Sequence, residues 1–230
     1  MQIKIIYFEK NFNLKVFYLL KNILYENEII LLSGGKSIKK IIKSIKKKIF
    51  IPQKKTIILS DERLYKNNND NRTNYINLKK NFFKFFSFKK LKFIYFLLGS
   101  NNCILVKNFQ KKIENIVPNI ALLSLGNDGH ICSIFTKSKK LYCSSYLDIV
   151  KPINRTKRVT LNMKFLKNID QILMIVNGKQ KGVIFNKILS KKKTLFPFTK
   201  FNKISFILDK GAYREIKIVN KFKLKIIDNN

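Results

Sequence analysis

The sequence predicts an α/β fold, a mostly parallel sheet with helices on both faces, with residues 1–230 forming a single domain. Three observations lead there. Short apolar runs recur as EIILLS, TIILS, NIALLSL, QILMIVN and KISFILD, without the polar alternation of a half-exposed sheet, as expected of strands buried on both faces. Segments with helical character lie between them. Four polar groupings, SGGKS, SDER, GNDGH and NGKQK, stand just beyond these runs, where open parallel sheets bind their ligands.

Each element has its own signal. Phe12, Val16, Leu19 and Ile23 fall on one face of a helix predicted from Asn11 to Tyr25. EIILLS then stops at Gly34 and Gly35, and a lysine-rich helix follows from Ser37 to about Lys48. TIILS runs into DER, and the polar loop YKNNNDNRTN leads to a helix starting near Asn74. FFKFFSFKKLKFIYF is too aromatic to assign. A helix from about Asn102 to Asn115 precedes NIALLSL, and RVTLN, QILMIVN, the helix GKQKGVIFNKILS and KISFILD complete the order. No internal repeat or Pro/Gly-rich linker divides the chain.

The formal net charge of +35 invites a polyanion partner. Composition offers a plainer cause. Lys, Ile, Asn, Phe and Tyr are abundant while Ala121 and Ala212 are the only alanines, the profile of a strongly AT-biased genome. The lysines are spread along the chain instead of concentrated in one arm, so no specific nucleic-acid partner is expected. Cys103, Cys132 and Cys143 are odd in number and lack C-x-x-C spacing, which suggests neither a disulfide framework nor a zinc site. MQIKIIYFEK has no apolar signal region, and FIYFLLG is too short to span a bilayer. The expectation is a soluble cytoplasmic monomer with no membrane partner and no metal.

The glycine turn raises the question of phosphate. A P-loop needs a glycine four residues before its Gly-Lys-Ser, and Ile30 occupies that position. What remains is a strand, a tight turn at Ser33, Gly34 and Gly35, and a helix start, which is still a good anion site. Serine-hydrolase chemistry finds no G-x-S-x-G elbow, since Leu31 stands where its first glycine belongs.

His130 is the only histidine, in a loop between a strand end and the next segment, with Gly126 and Gly129 nearby. Imidazole titrates near neutrality and is the usual choice for deprotonating water, although a lone histidine is also often structural. Asp128 could orient that ring or cap the turn. Arg63, in the Asp61-Glu62-Arg63 group, could clamp an anion or stabilise an oxyanion, or simply pair in a solvated loop. Arg158 stands out because arginine is scarce here and its planar fork is not replaced by lysine. Lys181 is weak evidence in so lysine-rich a chain.

In this order LLSGGKS, SDERLY, Asn74-Tyr75, LLSLGNDGHICSIF, KRVTLN, VNGKQKGVIFNKIL and FILDKGA resemble the 6-phosphogluconolactonase family, within the sugar-phosphate group that includes glucosamine-6-phosphate deaminases. The D-G-H-x-x-S-I-F piece is the most specific. The resemblance implies a Rossmann-like α/β fold and hydrolysis of 6-phospho-D-glucono-1,5-lactone, a small-molecule substrate, with no cofactor. By position, His130 matches the general base and Arg63 the arginine near the reacting group. Gly34, Gly35, Arg158 and Lys181 match groups around the substrate phosphate, while Asp61 and the Gly126 to Gly129 loop would line the sugar pocket. Lys36, Ser124 and Asn127 depart from the family pattern, and Lys36 is expected to face solvent. Two alternatives compete: the deaminase/isomerase branch, which typically has D-E-Y and an acidic residue shortly after its histidine, and a non-enzymatic basic nucleic-acid-binding protein.

Overall fold

The apolar runs become the middle of a sheet. The computed structural model describes residues 4–45, 47–99, 101–135, 137–190, 201 and 203–217, and the backbone of 225–228. In chain order its strands are β1 Lys4–Phe8, β2 Ile29–Leu32, β3 Ile49–Leu59, β4 Asp61–Arg63, β5 Phe86–Ile94, β6 Ile120–Ser124, β7 Ser138–Cys143, β8 Leu147–Pro152, β9 Arg158–Leu161, β10 Gln171–Val176, β11 Ile204–Asp209 and β12 Lys225–Asp228. The helices are α1 Phe12–Glu26, α2 Lys36–Lys43, α3 Asn74–Asn77, α4 Phe83–Phe85, α5 Asn102–Ile113, α6 Met163–Leu166, α7 Lys179–Ser190 and α8 Lys210–Tyr213, with a π-helical turn over Leu78–Phe82 joining α3 to α4.

Eight strands pair in the order β12-β1-β11-β10-β6-β2-β3-β5, all parallel. Neighbouring side chains on a strand point to opposite faces. Ile30, Leu31 and Leu32 of β2 and Met174, Ile175 and Val176 of β10 are all fully buried, so both faces are covered, as expected of parallel sheets. Helix α1 packs on α2, α2 on the π turn, and α7 on α8. The contact between α7 and α8 is close: a Cβ on Gly182 would lie 2.5 Å from the Ala212 carbonyl oxygen. Ala121 and Ala212 are both fully buried.

From the adjacent pair β2 and β6 the sheet grows in opposite directions, through β3 to β5 and through β10, β11 and β1 to β12. Such a reversal opens a crevice beyond the carboxyl ends of the central strands. The turn after β2 and the loop after β6 therefore face one another.

The structure differs from the sequence reading in several places. The buried stripe of α1 is Val16, Phe17, Leu20, Ile23 and Leu24, with Phe12 and Leu19 at its margin. Helix α2 ends at Lys43, earlier than Lys48. The aromatic segment divides, closing the helical run at Phe85 and then forming β5. DER does not finish the preceding strand: β3 stops at Leu59, and β4 joins a second, antiparallel sheet of order β4-β9-β8-β7. Ser60 hinges the two sheets, its N–H donating to Leu32 O at 3.0 Å and its carbonyl accepting from Leu161 N at 3.0 Å.

Candidate active site

The loop after β6 shapes the environment of His130. Gly126 N donates to His130 O at 2.8 Å and Gly129 N to Gly126 O at 3.0 Å, with Gly129 in the left-handed region at φ 85°. The imidazole lies directly over Gly126, where a Cβ would come within 2.1 Å of Nδ1. Only glycine leaves room for that ring. Nδ1 makes a short hydrogen bond to Asp128 Oδ1. A carboxylate can only accept, so Nδ1 carries a proton, and in the neutral ring it is Nε2 that offers a lone pair. The other Asp128 oxygen accepts from Arg155 Nη2 at 2.9 Å. Partial burial pushes the Asp128 carboxyl up, but the hydrogen bonds from His130 and its charge when protonated, with the Arg155 guanidinium, hold it well below the usual carboxylate range. The ring of Phe135 packs against His130, centroids 4.4 Å apart.

Across the cleft, β4 and β9 supply the arginines. Arg63 Nη1 donates to Asn74 Oδ1 at 3.2 Å and, in a short bond, to the Arg72 carbonyl. Asn74 is fixed in turn: its Nδ2 donates to Asp61 O at 2.9 Å, and its N–H to the Glu62 carboxylate at 2.7 Å. Glu62 is fully buried and also accepts from the N–H groups of Tyr75 and Arg63, each at 2.7 Å. Burial pushes its carboxyl up to about 7, against the pull of those three donors. Asp61 accepts from Ser60 Oγ at 2.9 Å and Ser133 Oγ at 2.6 Å. Arg158 reaches Ser133 Oγ at 3.5 Å, and its Nε is buried without a hydrogen-bond partner. Burial lowers its affinity for a proton, a cost that Asp61 partly offsets.

The third group surrounds Lys181 at the start of α7. Its Nζ donates to Ser37 Oγ and Ser124 Oγ, each at 2.8 Å, and to Asn177 Oδ1 at 3.1 Å. All three partners are neutral. Burial, with Lys40 nearby, lowers its ammonium to about 8 despite the more distant Asp209. A half-desolvated cation bonded to hydroxyls and an amide, beside the first turn of α2, is arranged to receive an anion.

These groups line one cleft of about 300 Å³. Of the residues expected from sequence, Ser33, Gly35, Asp61, Arg63, Gly126, Asp128, His130, Arg158 and Lys181 line it together. Gly34 and Gly129 are not among its lining residues. Gly34 is buried under Asn74, where a Cβ would sit 2.5 Å from Asn74 Cβ, so it allows α3 to approach. Gly35 has no atom near its Cβ direction and is open to the cleft. Lys36 is exposed, as expected, yet stands on the rim. Sequence reasoning did not single out Ser37 or Arg155, and it treated Ser124 only as a departure from pattern. The scarcity of arginine was the available signal: of five arginines in the chain, Arg63, Arg155 and Arg158 line this cleft. Among the described residues no three His, Cys, Asp or Glu side chains gather as a metal site would require, and no helix is long and apolar enough to cross a membrane.

Comparison with known proteins fits this geometry. A curated 6-phosphogluconolactonase of Borreliella burgdorferi is 26% identical over 172 residues, covering 70% of this chain and 73% of its own. The structure of a 6-phosphogluconolactonase from Plasmodium vivax superposes with a TM-score of 0.74 at 22% identity, covering 91% of this chain and 92% of that one. A monomeric glucosamine-6-phosphate deaminase reaches 0.71 at 14% identity, covering 92% and 99%, so the two branches share this fold. The model of glucosamine-6-phosphate isomerases/6-phosphogluconolactonase matches residues 22–206, and the chain belongs to that family.

Proposed function

We propose that the protein hydrolyses 6-phospho-D-glucono-1,5-lactone to 6-phospho-D-gluconate, the second step of the oxidative pentose phosphate pathway. The observation that carries the reading is the His130 imidazole, held at Nδ1 by Asp128 with Nε2 left to accept a proton, in a cleft lined by Arg63, Arg158 and Lys181. The similarity to a curated lactonase supports it.

A lactone is an activated ester whose leaving alkoxide stays tethered, so water can attack directly and neither a covalent nucleophile nor a metal is needed. His130 Nε2 takes a proton from water as its oxygen bonds to the lactone carbonyl carbon. Arg63 stabilises the resulting oxyanion. The carbon–ring oxygen bond then breaks, and the imidazolium returns its proton to that oxygen. The phosphate is held by Lys181, Arg158 and the Gly35 turn, fixing the ring relative to His130. A positioned base contributes on the order of 10²–10⁴ in rate. The reading includes a cytoplasmic monomer acting on a small molecule, with no nucleic-acid partner.

The deaminase/isomerase reading needs a carboxylate to shuttle a proton between carbons. Asp61 is bonded to two serine hydroxyls, and Phe135 rather than an acid packs on the imidazole. The test is a side-by-side assay on 6-phosphogluconolactone and glucosamine 6-phosphate with wild type and His130→Ala. Lactone turnover that falls about 10²-fold or more in the variant is expected. Turnover unchanged in a folded His130→Ala protein sinks the mechanism, and activity on the amino sugar alone sinks the assignment.

A further inference from the structure

We propose that Arg155 is a positioning residue for His130, acting through Asp128 and Phe135 from the turn between β8 and β9 of the second sheet. The proposal rests on His130 being the base. Arg155 lies in the turn between β8 and β9, beside Asn154 at φ 54°, and reaches across to a loop that belongs to the other sheet. It makes two contacts there. Its guanidinium binds Asp128 Oδ2 at 2.9 Å, and it lies 5.4 Å from the centroid of the Phe135 ring. Asp128 and Phe135 are the two side chains that hold the imidazole, one at Nδ1 and the other on its face. With Gly126 beneath the ring, the imidazole has a floor, an edge and a cover, and Arg155 touches the last two.

The charge arrangement gives this contact a consequence beyond packing. A carboxylate paired only with an imidazole favours the imidazolium, which cannot act as a base. A cation on the second carboxylate oxygen opposes that preference and favours the neutral ring, the form that can accept a proton. The other charged and titratable groups that line the cleft with His130 are Asp61 and Arg63 of β4, Arg158 of β9, Cys132 two residues beyond it, and Lys36 and Lys181 at the starts of α2 and α7. None of these forms an ion pair with Asp128, whose ion-pair partners among the described residues are His130 and Arg155.

Arg155→Gln should therefore make the imidazole titrate at higher pH and move the acidic limb of the kcat/KM profile with it. A shift of about half a unit or more is expected for loss of a neighbouring charge, with kcat falling several-fold and KM little changed. Arg155→Lys keeps the charge and should restore most of both. Because His130 is the only histidine, its ring protons can be followed by NMR in tag-free protein without assignment ambiguity. An unmoved imidazole titration in Arg155→Gln overturns the proposal, whether or not the protein hydrolyses the lactone. A raised KM alone also overturns it and makes Arg155 a substrate ligand. A shifted titration in a protein without lactonase activity leaves the coupling standing and sinks the functional reading instead.

Discussion

Replacing Gly126 by alanine isolates the placement of the imidazole from its chemistry. The added Cβ would lie 2.1 Å from His130 Nδ1 and 2.2 Å from Cε1. An ordinary contact needs roughly 3.5 Å, so the ring must withdraw by about 1.4 Å. That displacement breaks the short bond to Asp128 and carries Nε2 off its line to the substrate. A misplacement of this size costs on the order of 10²-fold in rate. The backbone should not object, since Gly126 is not among the positive-φ residues and the clash falls on a side chain that can move toward the cleft. The melting temperature should therefore change little, within the roughly 2–4 °C that about 1 kcal/mol produces in a chain of this size. The measurement is kcat/KM for lactone hydrolysis, corrected for spontaneous opening, beside thermal melting by circular dichroism. Activity within threefold of wild type in a folded variant would refute the view that Gly126 exists to seat the ring.

Two further outcomes follow from the titrating groups. Lys181 holds its proton only up to about 8, so KM for the phosphorylated substrate should climb as pH passes that value. Lys181→Met should show a high KM at every pH, and a wild-type KM flat from pH 7 to 9.5 would contradict the role. Glu62 takes up its proton at about 7 when folded and at 4.5 when unfolded, so the folded state binds the extra proton between these values. Wild type should gain stability relative to Glu62→Gln as pH falls through that window, by up to about 3 kcal/mol. Denaturant melts at pH 5 and pH 8 check this, and a pH-independent difference between the two proteins rules it out.

The parallel sheet was legible because its strands are buried on both faces and so read as unbroken apolar runs. Ile30 to Leu32 and Ile172 to Val176 need no partner to be recognised. The second sheet was not, because the short β4 pairs with a strand distant in sequence: Asp61 registers against Thr160 and Glu62 against Val159. β7, SKKLYC, is largely exposed and carries no core signal. The site followed the same division. His130, Arg63, Asp128 and Lys181 stood out by type and place at strand ends, but Ser37 and Ser124 acquire meaning only when Lys181 arrives between them. Arg155 sits in an unremarkable turn, and only the folded chain brings it to Asp128. The FFKFFSF segment stayed ambiguous because phenylalanine is compatible with both the helix ending at Phe85 and the strand that begins one residue later.

The contact between Gly182 and Ala212 bears on how such a sequence can drift. Only two alanines stand in the chain, as an AT-biased composition would leave, and neither touches solvent. At Gly182 even one carbon would collide with the neighbouring helix backbone. Codon bias can rewrite a protein's surface almost freely, but it halts where the interior has no spare volume. In this lineage the surviving small residues become a map of steric limits, readable from a single sequence once its composition is understood.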